Sequence, residues 1–226
     1  MSSPAPEFDA SATLGYAERT ARLVPGLHDL HRMAGVLLTE RAPEDAQVLV
    51  VGAGGGLELK VFAQAHPRWR FVGVDPSQPM LDLAVQTLGP LAARVDLHAG
   101  CTDTAPPGPF DGAACLLTMH FLTLEERRAT LAAIRQRLKP GAPFVMAHLS
   151  VPAETQGKRL WLSRYAAFAA ASGVAAASAQ QAAAAIEARL PLLAPKEEEA
   201  LLAEAGFSGI ALFYAGLAFR GWVSDA

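Results

Sequence analysis

The stretch Gln47–Ala63 reads Q-V-L-V-V-G-A-G-G-G-L-E-L-K-V-F-A. Val48 to Val51 is an apolar, β-branched run with the length of a buried strand. Four glycines follow within five positions, at Gly52, Gly54, Gly55 and Gly56, and a helical pattern begins at Leu57. Glycine permits φ > 0 and close approach of a ligand to the main chain, and the helix start beyond offers unpaired N–H groups and partial positive charge. A turn of this kind suits a nucleotide-like ligand; a glycine-rich turn that binds nothing is the plain alternative. Spacing narrows the ligand. The dinucleotide fingerprint G-x-G-x-x-G needs its third glycine where Leu57 stands, whereas G-x-G-x-G is met at Gly52, Gly54 and Gly56.

Upstream, Leu14 to Glu40 reads as two helices broken at Val24-Pro25-Gly26. Leu30, Met33, Ala34, Leu37 and Leu38 give the second helix a buried face. Residues 1–13 read as a loose tail. Downstream, Trp69 to Val74 is a second strand ending at Asp75, and a helix runs from near Gln78 to Leu88. In an open parallel sheet, ligands sit beyond the carboxyl ends of the strands. A carboxylate at Asp75 can therefore accept both ribose hydroxyls of an adenosyl group, or it can merely cap the next helix. Arg94 to His98 is a third strand, Phe110 to Leu117 a fourth and Ala142 to Ser150 a fifth. Thr123-Leu124-Glu125-Glu126 forms a capping box that opens a helix to Leu138. From Val151 to Leu190 no strand signal exists, so this segment reads as inserted helices. Pro195 starts a last helix with Glu197, Glu198 and Glu199 near its positive end, and Gly206 ends it. Ile210 to Tyr214 and Leu217 to Val223 then read as two strands, one of them antiparallel.

The whole is an α/β chain: a Rossmann-like, doubly wound, mostly parallel seven-stranded sheet with an antiparallel C-terminal strand and a helical lid insertion. Residues 1–46 form an N-terminal helical cap and 47–226 the main domain, with the insertion at about 151–194. At 226 residues there is room for one such domain. A net charge of −3 gives no strong nucleic-acid signal. Cys101 and Cys115 supply neither a disulfide framework nor a metal spacing, so no metal is expected. The first residues lack the pattern of a signal peptide, and a cytoplasmic location is expected. Tyr165 to Ile186 is free of charge but dominated by alanine, which suits a helix pair better than a membrane span.

In order and motif, the chain resembles a class I S-adenosylmethionine (SAM) dependent methyltransferase from Gln47 to Ala226. V-L-V-V-G-A-G-G-G resembles that family's first motif, F-V-G-V-D-P-S its second, and F-D-G-A-A-C-L-L-T-M-H-F-L and L-K-P-G-A-P-F-V the fourth- and fifth-strand motifs. The resemblance implies SAM as cofactor. Gly52, Ala53 and Gly54 would face its methionine end and Asp75 and Pro76 its ribose, with Gly56 also among the cofactor-binding residues. Met80, Gly100, Cys101 and Thr102 would surround adenine, with Leu116 and Leu117 as the floor. An acidic residue often stands in the family where Cys101 stands here. A narrower resemblance, carried by V-P-G-L-H-D-L, T-M-H-F-L-T-L-E-E-R-R and A-G-F-S-G-I-A-L-F-Y-A-G-L-A-F, is to carboxy-SAM synthases, which carboxylate the SAM methyl for tRNA wobble-uridine modification. Those proteins carry a lid Lys-Arg pair whose arginine holds the new carboxylate; alignment puts Ala182 and Ala183 there, and Leu27 replaces their tyrosine. An unpartnered buried carboxylate is costly, which favours ordinary SAM.

Methyl transfer needs mainly alignment of the acceptor, because the sulfonium is already activated. For a hydroxyl acceptor, His120 just past the fourth strand is the candidate catalytic base, with His148 second. Packing at a strand end is the alternative for both. The N/D-P-P-Y/F tetrapeptide of amide and base N-methylation is absent. Trp161, Tyr165 and Phe168 at helical spacing could close over a small, partly apolar acceptor. The expected partner is thus a small molecule; no membrane is implied and a homodimer is compatible. A non-catalytic SAM-binding protein remains the alternative outside enzymes.

Overall fold

The computed structural model describes Thr13 and residues 15–226. Apart from Thr13, the loose tail expected over residues 1–13 lies outside the described residues. Helices α1 (Tyr16–Leu23) and α2 (Leu27–Thr39) precede β1 (Gln47–Val51). Then come α3 (Leu57–Ala65), β2 (Arg70–Asp75), α4 (Gln78–Leu88), β3 (Val95–Ala99) and β4 (Gly112–Leu116). The chain continues with α5 (Leu124–Arg137), β5 (Pro143–Leu149), α6 (Thr155–Ala171), α7 (Ala176–Arg189), α8 (Pro195–Glu204), β6 (Ser208–Gly216) and β7 (Phe219–Asp225).

The seven strands run in the order β3-β2-β1-β4-β5-β7-β6. Strands β1 to β5 are parallel, and β7 enters antiparallel between β5 and β6. β4 and β5 are buried along their whole length, as strands covered by helices on both faces must be. One apolar core forms on each face of the sheet; Leu30, Ala34 and Leu38 of α2 join the first. The strand order reverses between β1 and β4, which opens a crevice at their carboxyl ends.

Local signals explain most boundaries. Thr123 and Glu126 bond reciprocally as a capping box at α5. Gly26, in a left-handed conformation, separates α1 from α2. Three readings need correction. Met33 is 37% exposed, because α2 meets the body along Leu27, Leu30, His31, Ala34 and Leu38 instead. Phe110 lies outside β4 and makes an isolated parallel bridge to Leu138. The terminal turn sits at Leu217-Ala218, since β6 extends to Gly216. Glu198 lies in the first turn of α8, as its sequence position implies, and is buried there. No helix among the described residues is long and apolar enough to cross a membrane; α6 and α7 break at Gly173, whose φ is 93°.

Candidate functional site

Asp75 organises the crevice. Its Oδ2 accepts the Gly54 N–H at 3.0 Å and its Oδ1 accepts the Ser77 N–H at 2.9 Å. The second bond is an Asx-type turn two residues on, so helix capping falls to Ser77, whose side chain accepts from Met80 N–H. Asp75 therefore braces two loops and does not cap α4. Burial raises its pKa, while the Ser77 and Gly54 N–H groups oppose the rise.

The glycine turn is tied into the protein throughout. Gly52 and Ala53 donate to Val74 O, Gly54 to Asp75, Gly55 to Met80 O and Gly56 to Ala53 O. Side chains fill the space that Cβ atoms would need: Gly52, with φ 77°, faces Thr118, and a Cβ on Gly54 would stand 2.7 Å from Asp75 and 2.8 Å from Met80. The glycines are thus required first by the protein's own close approach. No N–H from Gly52 to Gly56 is left for a phosphate, which removes the usual anion cradle of dinucleotide sites.

A cavity of about 710 Å³ opens here, within the size range of ligand pockets. Of the sequence-derived residues, Gly52, Gly54, Asp75, Pro76, Met80, Gly100, Cys101, Thr102, Leu116, Leu117 and His120 all line it. Ala53 and Gly56 do not. Ala53 is fully buried with its side chain toward Gly73, and Gly56 caps α3 with its Cα against Ala84. Leu117 adopts φ 59°, a costly conformation for a non-glycine residue, at the cavity floor.

His120 sits in a short 3-10 turn after β4, 5% exposed, and its Nδ1 has no hydrogen-bond partner among the described residues. Burial, then the nearby His148 and Arg127, hold its pKa well below the ordinary value. These causes favour the neutral imidazole, in which one ring nitrogen can accept a hydrogen bond. His148 does not reach the cavity. It is fully buried in β5, with Nε2 2.9 Å from Glu198 Oε1. Arg127 pairs with the same carboxylate and also donates to Leu122 O at 3.1 Å and Pro191 O at 2.7 Å. Burial works to raise the Glu198 pKa, but His148 and Arg127 together hold it below the usual carboxylate value.

The lid expectation is met in part. Tyr165 is buried, lines the cavity and lies 6.2 Å from the Phe219 ring. Trp161 does not line it; it stacks between Arg164 and Arg220. Phe168 is half-buried away from the cavity. Three further residues enter the wall without a signal in the sequence: Tyr16 from α1, His31 from α2 and Glu58 from the first turn of α3. Glu58 is only 5% exposed, and burial, helped by Asp75, pushes its pKa up to about 8. Burial beside His28 takes His31 down to about 4.

These shifts set a pH dependence. Glu58 keeps its proton when folded but loses it near the ordinary value when unfolded, so folding is penalised as pH rises toward 8. His31 and His120 act oppositely, destabilising the fold as pH falls below about 6.5. Above that value Glu58 acts without this opposition. From pH 6.5 to 8 the ligand-free chain should lose on the order of 1–2 kcal/mol, roughly 3–6 °C in melting midpoint. Glu58→Gln should flatten this limb in a thermal melt series; an unchanged slope would remove Glu58 as its source.

Known proteins share part of this sequence and this fold. A methyltransferase-domain family model matches residues 49–144. The carboxy-S-adenosyl-L-methionine synthase of Actinobacillus succinogenes is 25% identical over 211 residues, covering 92% of this chain and 88% of that protein. A SAM-dependent methyltransferase from Aquifex aeolicus superposes with a TM-score of 0.64 at 15% identity, over 97% of this chain and 99% of that one. Human N-acetylserotonin methyltransferase, solved in complex with SAM, gives 0.62 at 17% identity over 99% of this chain, which spans 60% of the human one. At such identities the superpositions speak for the fold alone. In motif order, strand-end site and the methyltransferase-domain match over residues 49–144, the chain is similar to the class I SAM-dependent methyltransferases, with narrower similarity to carboxy-SAM synthases.

Proposed function

We propose that this methyltransferase binds SAM across the Asp75 loop and transfers its methyl group to a small, partly apolar acceptor held between the sheet edge and helices α6 and α7. One observation carries the cofactor assignment. The glycine turn spends every N–H internally, while Asp75 presents a carboxylate to the cavity; that combination suits a ribose and leaves a pyrophosphate no donor in the turn. Thr102, buried at the cavity wall, and Met80 supply the flat, mostly apolar surroundings that adenine needs.

SAM supplies an activated methyl on a sulfonium when bound. The chain's own residues then need to orient the acceptor, exclude water and receive a proton where the nucleophile is a hydroxyl. Leu149, Tyr165, Ile186, Leu190 and Phe219 form the wall opposite the glycine turn and supply the water exclusion. Neutral His120 can accept a hydrogen bond from the acceptor and take its proton as the new bond forms. His120→Ala should lower kcat by about 10²-fold while leaving SAM affinity within twofold by calorimetry. Equal loss in both would make His120 a packing residue.

Carboxy-SAM synthesis is the second reading, favoured by the relative of that name. Among the described residues Arg19 of α1 is the one Lys or Arg at the cavity wall, and the lid positions are Ala182 and Ala183. That is a poor setting for an added carboxylate from the lid side. Denaturing the purified protein and identifying the released small molecule by mass spectrometry separates the readings. SAM or S-adenosylhomocysteine is expected; a carboxylated SAM would establish the second reading. No released ligand together with no thermal shift at saturating SAM would overturn both.

A further inference from the structure

Glu58 is the group whose place the mechanism leaves unexplained. It stands at the second position of α3, immediately past the glycine turn, 95% buried by its 5% exposure, and it faces the cavity. Its carboxyl meets only its own backbone N–H; no side-chain partner exists among the described residues. The groups that face it are Asp75 from β2, Tyr16 from α1 and Cys115 from β4. None is a cation, and Tyr16 and Cys115 are themselves pushed up to about 12, burial being the main cause. A buried acid beside another acid is a costly arrangement unless a cation arrives with the ligand.

We infer that Glu58 is the receptor for the primary ammonium of SAM's amino-acid end. The inference rests on the SAM-binding reading above. Two sources of positive charge could meet a carboxylate at this end of the cavity, the ammonium and the sulfonium, and the position of Glu58 beside the glycine turn favours the ammonium. A phosphate at the α3 N-terminus would meet this buried carboxyl and find no cation in it, so Glu58 selects for an adenosyl amino acid against a dinucleotide. Because Glu58 is protonated in the free chain at pH 7, taking up the ammonium expels that proton.

The test compares three probes on wild type and Glu58→Gln by calorimetry: S-adenosylhomocysteine, SAM and methylthioadenosine, which lacks the amino acid. The variant should bind the first two at least about tenfold more weakly, as expected for a charged hydrogen bond, and methylthioadenosine within twofold. Wild type should release close to one proton per S-adenosylhomocysteine bound near pH 7, read from buffers of different ionisation enthalpy, and the variant none. Parallel loss of methylthioadenosine, a loss confined to SAM, or no loss at all would each overturn the assignment. Failure of wild type to bind S-adenosylhomocysteine would instead sink the cofactor reading itself. A melt of ligand-free Glu58→Gln, expected to match or exceed wild type at pH 7, separates lost binding from lost folding.

Discussion

Asp75→Ala is expected to weaken SAM binding by roughly 10²- to 10⁴-fold, the loss of two hydrogen bonds to a charged acceptor at ~1.5–3 kcal/mol each. The carboxylate lies at the end of β2 and faces the cavity, where it can take both ribose hydroxyls. Its second duty amplifies the effect. Without it the Gly54 and Ser77 N–H groups lose their acceptor, so the turn and the start of α4 loosen together. Asp75→Asn should recover only part of the affinity, since one oxygen becomes a donor where two acceptors are needed. Calorimetry with SAM checks the size of the loss, and the melting midpoint reports the loop contribution. An alanine variant that binds SAM within threefold of wild type would remove the ribose role.

Arg127→Met should cost about 3–5 kcal/mol of stability, roughly 10 °C or more in melting midpoint for a chain of this size. Arg127, Glu198 and His148 are each at most 1% exposed, and the Glu198 carboxylate lies between the Arg127 guanidinium and the His148 ring, out of contact with bulk solvent. Removing the guanidinium leaves a buried carboxylate with one partner and leaves two carbonyls, Leu122 O and Pro191 O, without their donor. Those carbonyls tie the segment after His120 and the exit of α7 to α5, so amide exchange should rise at both. Pairing Arg127→Met with Glu198→Leu should recover much of the stability, because an apolar replacement of a whole ion pair is tolerated better than half of one. A double variant that melts below the single one would mean the pair is a net stabiliser that apolar residues cannot replace.

The sequence alone determined the order of strands and helices, the glycine turn and Asp75 at the end of β2. These are local: a β-branched run, a turn that only glycine can make, and a carboxylate at the end of a strand need no knowledge of the rest of the chain. The capping box at Thr123 and the break at Gly26 are legible for the same reason. What the period of a helix cannot tell is which element covers its face. Glu198 reads as an acid stabilising a helix start; only the fold puts Arg127, 71 positions away in sequence, against it. His148 reads as a candidate base until β7 and α8 close it from the cavity. Glu58 reads as one more polar position of α3, and it becomes a buried acid in the cofactor cavity because Tyr16, Asp75 and β4 converge on it from three separate elements. Tertiary structure decided those roles, because burial and charge pairing depend on distances between residues remote in the chain.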